Sequence, residues 1–118
     1  PQHTGTLLNE LGNIQLNTGK TDAAITSFKK AYKTLTNVEQ PNQDPNLLSD
    51  ITNNLAVAFR EIKAYPKAAK AYKRSIEFAY TAKNKTAYRQ SLEHLIDLYL
   101  EAGHPQKAQP FQQRLAQL

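Results

Sequence analysis

The chain has 118 residues, of which 40% are apolar and 21% are charged, enough for one folded domain with a thin, elongated core. It has no cysteine, which excludes disulfide bonds and thiolate metal sites, and no apolar run approaches the ~18 residues of a membrane-spanning helix. The net charge of +5 is ordinary for a small domain, so the distribution of the charges matters more than their sum.

The sequence also contains no methionine and no readable targeting segment. We therefore expect a piece of a longer protein, and the cytoplasm is only a default expectation for its location.

The first of six predicted helices runs roughly from Thr4 to Thr18. Its apolar stripe consists of Leu7, Leu11 and Ile14, spaced four and three residues apart, which places them on one helix face. A glycine and a lysine end this helix, and Thr21 is the expected N-cap of the second helix because its hydroxyl can accept a backbone hydrogen bond.

An irregular stretch from Asn37 to Asp44 separates the second helix from the third. We expect Asp44 to cap the third helix and Pro45 to be its first residue, since the fixed φ of proline suits that position. The apolar stripe of the third helix is formed by Leu48, Ile51, Leu55, Ala58 and Ile62.

Short turns delimit the last three helices. The fourth helix begins at Tyr65, the next turn lies at residues 84–86, and residues 103–105 separate the fifth helix from the last, which runs to Leu118. The residues expected on the buried sides are Ala68, Ala69, Tyr72, Ile76 and Ala79, followed by Leu92, Leu95, Ile96, Leu98 and Tyr99. Because no segment alternates like a strand, the predicted class is all-α, with three antiparallel helix pairs.

The three pairs share one spacing: a small or apolar residue, an alanine twelve positions later and usually an aromatic residue four beyond that. The positions are Gly12, Ala24, Phe28 and Ala31; then Ala56, Ala68, Tyr72 and Ser75; then Ile96, Ala108, Gln112 and Leu115. Closely packed helices need small side chains where they cross, and the aromatic ring fills the space one turn on. A unit of about forty residues cannot bury its own apolar face and must stack on a neighbour.

This spacing resembles the tetratricopeptide repeat, most closely in the first two units. The third unit has Gln112 where the family has an aromatic residue, and we expect Phe111 beside it to fill that space. The repeats cover about residues 5–38, 45–82 and 86–118. Their long period, and the run of residues 53–56, are similar to the repeats of kinesin light chains. The resemblance implies a right-handed α–α superhelix, or solenoid, whose first helices line a concave peptide-binding groove.

In that architecture the groove is lined by one stripe of each first helix. The candidate peptide-binding residues are Asn9, Glu10, Asn13, Asn17, Asp50, Asn53, Asn54, Val57, Arg60, Glu61, Gln90, Glu93, His94, Asp97 and Glu101. They include six of the ten acidic residues of the chain and one of its fifteen basic residues. The second helices carry the opposite charge, on Lys29, Lys30, Lys33, Lys67, Lys70, Lys73 and Arg74.

The leading hypothesis is a non-catalytic scaffold that binds a protein or an extended peptide. The asparagine side chains offer both a donor and an acceptor to a peptide main chain, and the carboxylates favour a basic peptide. The alternative reading of each residue is an ordinary solvated polar side chain. Glu93, His94, Asp97 and Glu101 share a helix face, but without a second histidine or a nucleophile they predict no catalytic residue, metal or cofactor.

Two other functions stay open on the sequence. The chain could be a structural or self-associating segment, because no polar capping helix follows the last predicted helix. It could also bind an acidic ligand or nucleic acid on its basic convex face. We expect nucleic acid less, because Tyr32, Tyr72 and Tyr80 are assigned to packing between helices rather than to base stacking.

Overall fold

A computed structural model describes residues 2–37, 39 and 44–118, and every regular element in these ranges is an α-helix. The helices are α1 (Gln2–Asn17), α2 (Thr21–Leu35), α3 (Pro45–Glu61), α4 (Tyr65–Thr81), α5 (Lys85–Glu101) and α6 (Pro105–Ala116). The predicted all-α class is confirmed. Most of the irregular stretch expected before the third helix, and the end of the first expected repeat at residue 38, lie outside the described residues.

Each helix packs on the next one along the chain. α1 with α2, α3 with α4, and α5 with α6 form pairs joined by short turns, while α2 with α3 and α4 with α5 connect one pair to the next. The first helices also touch across the pairs, α1 with α3 and α3 with α5. This arrangement is that of a helical-repeat solenoid, in which each unit contacts its neighbours, and the molecule measures 38 × 31 × 21 Å.

The start of α3 follows the sequence prediction closely. The Asp44 carboxylate accepts hydrogen bonds from the backbone N–H groups of Asn46 and Leu47, at 3.0 and 3.3 Å, and Pro45 opens the helix. This side-chain cap satisfies backbone donors that the first turn of a helix leaves without a partner. The prediction for α2 was wrong: the helix begins at Thr21 itself, and the capping position is held by Lys20, whose side chain makes no capping bond.

The small residues of the first helices face aromatic rings of their partner helices. A Cβ atom added to Gly12 would lie 2.5 Å from the ring of Phe28, which is itself completely buried. In the second pair the buried Ala56 and Tyr72 belong to the same core cluster. In the third pair the partly buried Phe111 packs against the core cluster, and its ring stacks on that of Tyr99 with the centroids 6.1 Å apart.

The contact between α2 and α3, which joins the first two pairs, has an apolar centre. Ala31 and Leu35 of α2 pack with Leu48 and Ile51 of α3, and all four are inaccessible to solvent. The remaining core is one cluster that includes Ala24, Ile25 and Phe28 of α2. It runs on through the second and third pairs and ends at Ala108, which is the one buried residue of α6.

The apolar stripe predicted for the first helix is exposed, not buried. Leu7, Leu11 and Ile14 are 51%, 44% and 61% exposed, and α1 instead packs through Gly5, Asn9 and Gly12. The physical reason is the lack of a preceding helix in the described chain. In α3, the residues that correspond to the stripe are buried, and they are Ile51, Leu55 and Ala58.

Two further residues with predicted packing roles are exposed at the surface. Ile62 is the C-cap of α3, beyond the last full turn, and is 48% exposed. Tyr80 is 70% exposed near the end of α4, where its ring contacts that of Tyr88 at a centroid distance of 5.9 Å.

Replacing Gly12 by alanine should destabilise the fold, because the added methyl group overlaps the Phe28 ring. Overpacking of this kind costs about 1–3 kcal/mol, and the better helix propensity of alanine offsets at most about 1 kcal/mol. We expect a net loss of about 1–2 kcal/mol in the free energy of unfolding, measured by urea denaturation.

The matched comparison is the same substitution in a Phe28→Leu background, where the ring is gone and Gly12→Ala should cost less. Equal costs in both backgrounds would contradict the proposed contact.

Candidate functional site

Hydrogen bonds between the first helices of neighbouring pairs define one common surface. The Asn9 amide on α1 donates to the Asp50 carboxylate on α3 at 2.8 Å, and the Asn54 amide donates to the Asn9 side-chain oxygen at 3.0 Å. We call the joined surface of α1, α3 and α5 on this side the inner face. Asn9, Asp50 and Asn54 belong to the set that the sequence predicts to line a groove.

The link between α3 and α5 has the same character. Nδ1 of His94 lies 3.1 Å from the side-chain oxygen of Asn53, and the Arg60 guanidinium donates to one Glu101 oxygen at 2.9 and 3.3 Å. The hydrogen bond from Arg60 lowers the pKa of the Glu101 carboxyl below its usual value. Polar side chains therefore connect all three first helices on the inner face.

The sequence-predicted site residues differ widely in exposure. The exposed ones are Glu10, Asn17, Asp50, Glu61, Gln90, Glu93, Asp97 and Glu101, and the half-buried ones are Asn13, Asn53, Asn54, Val57, Arg60 and His94. Asn9 alone among the predicted set is buried, at 5% exposure, and both polar atoms of its amide are already bonded within the chain. Its side chain joins two repeats, which the sequence pattern did not indicate.

Three predicted residues meet in one small cleft between α3 and α5. Asp50, Asn53 and Gln90 line a cavity of about 230 Å³. The other lining residues are Asn46, Ser49, Asn84, Ala87 and Ser91. Because the lining is mainly amide, hydroxyl and carboxylate, the cleft offers hydrogen-bonding groups to a polar ligand.

The inner face is strongly asymmetric in charge. All six of its predicted carboxylates are exposed, and its one predicted cation, Arg60, is paired with Glu101. Within the described ranges, Glu93 and Asp97 form no ion pair, and both lie close enough to His94 to act on its charge. The face therefore carries an excess of negative charge that the protein does not neutralise locally.

His94 is held in a mixed environment. Its ring lies 5.7 Å from that of Tyr72, which is almost completely buried. Burial lowers the pKa of His94 below its ordinary 6.5, and the nearby Arg60 charge acts in the same direction, while Asp97 and Glu93 oppose them. Burial also raises the pKa of the Tyr72 hydroxyl.

Sequence reasoning missed a buried chain of hydroxyl groups behind the inner face. The Ser75 hydroxyl donates to the Ser49 backbone oxygen at 2.9 Å, and it lies 3.2 Å from the Ser49 hydroxyl and 2.9 Å from that of Ser91. The three serines join α3, α4 and α5, and each is at most 4% exposed. The sequence feature that could have indicated this chain is the position of the three serines on helix sides that are otherwise apolar.

Within the described residues, no three histidine or acidic side chains come together as a metal ion would require. In the same ranges, no helix combines the length and apolar character needed to cross a membrane.

Removing the central hydroxyl by Ser75→Ala should cost about 1–3 kcal/mol in the free energy of unfolding. The buried Ser91 hydroxyl would lose the partner it has in the native structure, and a buried unsatisfied group carries a penalty of that size. Urea denaturation measures the change.

The matched control is Thr26→Ala, which removes an exposed hydroxyl that bonds only the backbone of its own helix. If both variants lost the same stability, the serine chain would have no special role.

The stability of the protein should fall as the pH drops below about 6.5. The unfolded chain binds a proton on His94 near that pH, whereas the lowered pKa in the folded state keeps the ring neutral to a lower pH. The contribution of His94 to the free energy of unfolding is therefore fully present above pH 6.5, and it is lost as the pH falls through the lowered pKa of the folded state. Urea titrations across this range, compared with His94→Gln, measure the effect.

The variant should show a flatter dependence just below pH 6.5, because glutamine does not titrate. The same slope in both proteins would show that other groups cause the loss.

Residues 6–34 match the sequence pattern of a known family, described as the tetratricopeptide repeat. The match covers nearly all of the α1–α2 pair, and together with the six-helix solenoid it fits a repeat family of that type. Repeats of this family generally mediate protein–protein interactions as scaffolds. No curated protein matches the chain. The similarity to the long repeats of kinesin light chains stays a prediction.

Proposed function

We propose, for a chain whose sequence and fold fit the tetratricopeptide repeat family, that its inner face binds an extended, basic segment of a protein partner. The observation that carries this proposal is the set of exposed carboxylates on α1, α3 and α5. Arg60 is the one cation in the predicted site, and it is already paired with Glu101. A surface with a local excess of one charge attracts the opposite charge and fixes its orientation.

The separation of charge between the two sides of the molecule supports the proposal. Lysine and arginine side chains are concentrated on the exposed sides of the second helices, which we call the outer face. A basic peptide would therefore be attracted to the inner face and repelled by the outer one. Such complementarity steers encounter and register more than it adds affinity.

The remaining polar groups suit a peptide main chain. Asn13 is half-buried, and its side chain makes no hydrogen bond within the part of the chain that the structure describes. The cleft between α3 and α5, which is lined by Asp50, Asn53 and Gln90, offers further donors and acceptors. Asn9 and Asn54 contribute indirectly, because their mutual hydrogen bond holds α1 against α3.

The proposed role is that of a scaffold without catalysis or a cofactor, as is typical of the family. The inner face would recognise its partner through charge and hydrogen bonding alone. A self-associating role through the last helix has less support, since α6 presents exposed glutamines to solvent, at Gln109, Gln112 and Gln113.

An extended peptide with lysine at alternate positions should bind more weakly to a Glu93→Gln/Asp97→Asn variant than to the native protein. Exposed ion pairs contribute about 0.2–1 kcal/mol each, so we expect a loss of about fivefold in affinity at low salt. Fluorescence anisotropy of the labelled peptide measures the dissociation constant. An Asn13→Ala variant should also weaken binding, by loss of a main-chain hydrogen bond.

The control is Asp22→Asn/Glu77→Gln, which removes two exposed carboxylates from the second helices and should change the affinity less than twofold. A second control peptide has glutamine in place of lysine. Equal binding of both peptides, or equal effects of both variants, would refute recognition at the inner face.

A further inference from the structure

A cleft of about 360 Å³ lies between α2 and α4 on the outer face. Its walls carry five cationic side chains, those of Lys29, Lys33, Lys67, Lys70 and Arg74. No acidic residue lines the cleft, and none of the five cations forms an ion pair within the described ranges. Five like charges therefore surround one cavity without a protein counter-charge, which favours an anionic occupant.

Aromatic rings hold several of these cations in place. The ammonium groups of Lys29 and Lys67 lie 5.5 and 5.8 Å from the centre of the Phe59 ring, and the Arg74 guanidinium lies 5.4 Å from that of Tyr32. Phe59 extends from α3 and is only 7% exposed, so it is a fixed element of the core. Cation–π contacts of this kind reduce the freedom that long side chains would lose on binding.

The basic surface continues beyond this cleft. A second cavity of about 410 Å³ shares Lys70 and adds Lys73, His104 and Lys107. Lys73 lies 5.9 Å from the centre of the Tyr99 ring, which repeats the cation–aromatic arrangement of the first cleft. The two cavities together form a basic track across the outer face, from α2 to the start of α6.

We propose that this basic track binds an extended acidic peptide segment, at a site separate from the inner face. Lys29 and Lys33 are one helical turn apart, about 6 Å along the axis. Alternate side chains of an extended peptide lie on one side at a spacing of about 6.6 Å. Aspartate or glutamate at every second position of a segment that lies along α2 can therefore meet Lys29 and Lys33, and the cations of α4 face the same segment across the cleft.

The same surface suits nucleic acid less well. Single-stranded nucleic acid is held by bases that stack on free aromatic faces as well as by phosphate contacts. In the first cleft the Phe59 ring is covered by two lysines and the Tyr32 ring by an arginine, so both rings already have cationic partners. The track recognises spaced negative charges and offers little to a base.

The test uses the full chain and a labelled peptide with glutamate at alternate positions. We expect saturable binding, followed by fluorescence anisotropy, that weakens strongly between low salt and about 0.5 M sodium chloride. Lys67→Gln/Lys70→Gln should reduce the affinity about fivefold or more, because it removes two cations from the wall of the cleft. The matched control is Lys20→Gln/Lys30→Gln, which lowers the net charge equally at exposed positions outside both cavities and should change the affinity less than twofold.

Three results would overturn the proposal: no saturable binding of the acidic peptide, equal losses in the two lysine variants, or tighter binding of an oligothymidylate of equal charge. The Glu93→Gln/Asp97→Asn variant should bind the acidic peptide with unchanged or slightly higher affinity. This arm separates the track from the inner face, so either proposal can fail without the other.

Discussion

The close approach of the two helices in each pair is the constraint on which the rest of the structure depends. In the first pair it is set by Gly12, whose missing side chain leaves room for the buried ring of Phe28. With that ring in place, α2 presents Ala31 and Leu35 to the next pair, and the apolar seam with α3 can form. A looser pair would shift this seam and with it the alignment of the first helices, because packed interiors tolerate little change in volume.

The alignment of the first helices is what gathers the inner-face residues. Asn9 is more than forty residues away in sequence from both Asp50 and Asn54. These side chains meet because equivalent turns of α1 and α3 lie side by side. The same register brings Asn53 to His94 on the next helix. The polar inner face is thus a consequence of repeat stacking, and its bonds in turn fix the stacking distance.

The sequence predicted the elements whose apolar stripes are covered on both sides. In α3, α4 and α5 the periodic apolar residues are buried, since each of these helices has a neighbouring pair to pack against. The stripe of α1, exemplified by Ile14, follows the same period but lacks a covering helix in the described chain, so periodicity alone gave the wrong face. A sequence pattern specifies which face is apolar, not whether a neighbour is present.

The candidate site was predictable only in part, for a related reason. Charge could be assigned to a helix face from spacing, and Asp97 and Glu93 are exposed as expected. The hydrogen-bond partners of these residues could not be predicted from spacing, because they depend on the distance between two packed helices. Asn9 was therefore interpreted as a ligand-binding residue although it joins α1 to α3, and the hydroxyl of Ser75 was counted only as a small side chain.

The two faces differ in how their charged groups are held, and this gives them different sensitivities. On the inner face, His94 and the Arg60–Glu101 pair take part in hydrogen bonds whose strength depends on protonation. On the outer face, Lys29 and Lys67 are held over the ring of Phe59, and neither the ring nor the ammonium groups change charge near neutral pH. Mild acidification therefore acts on the links between the first helices and leaves the lysine and arginine side chains of the basic track charged as before. One fold thus presents a surface whose hydrogen bonds depend on protonation and another whose lysine and arginine charges persist through mild acidification.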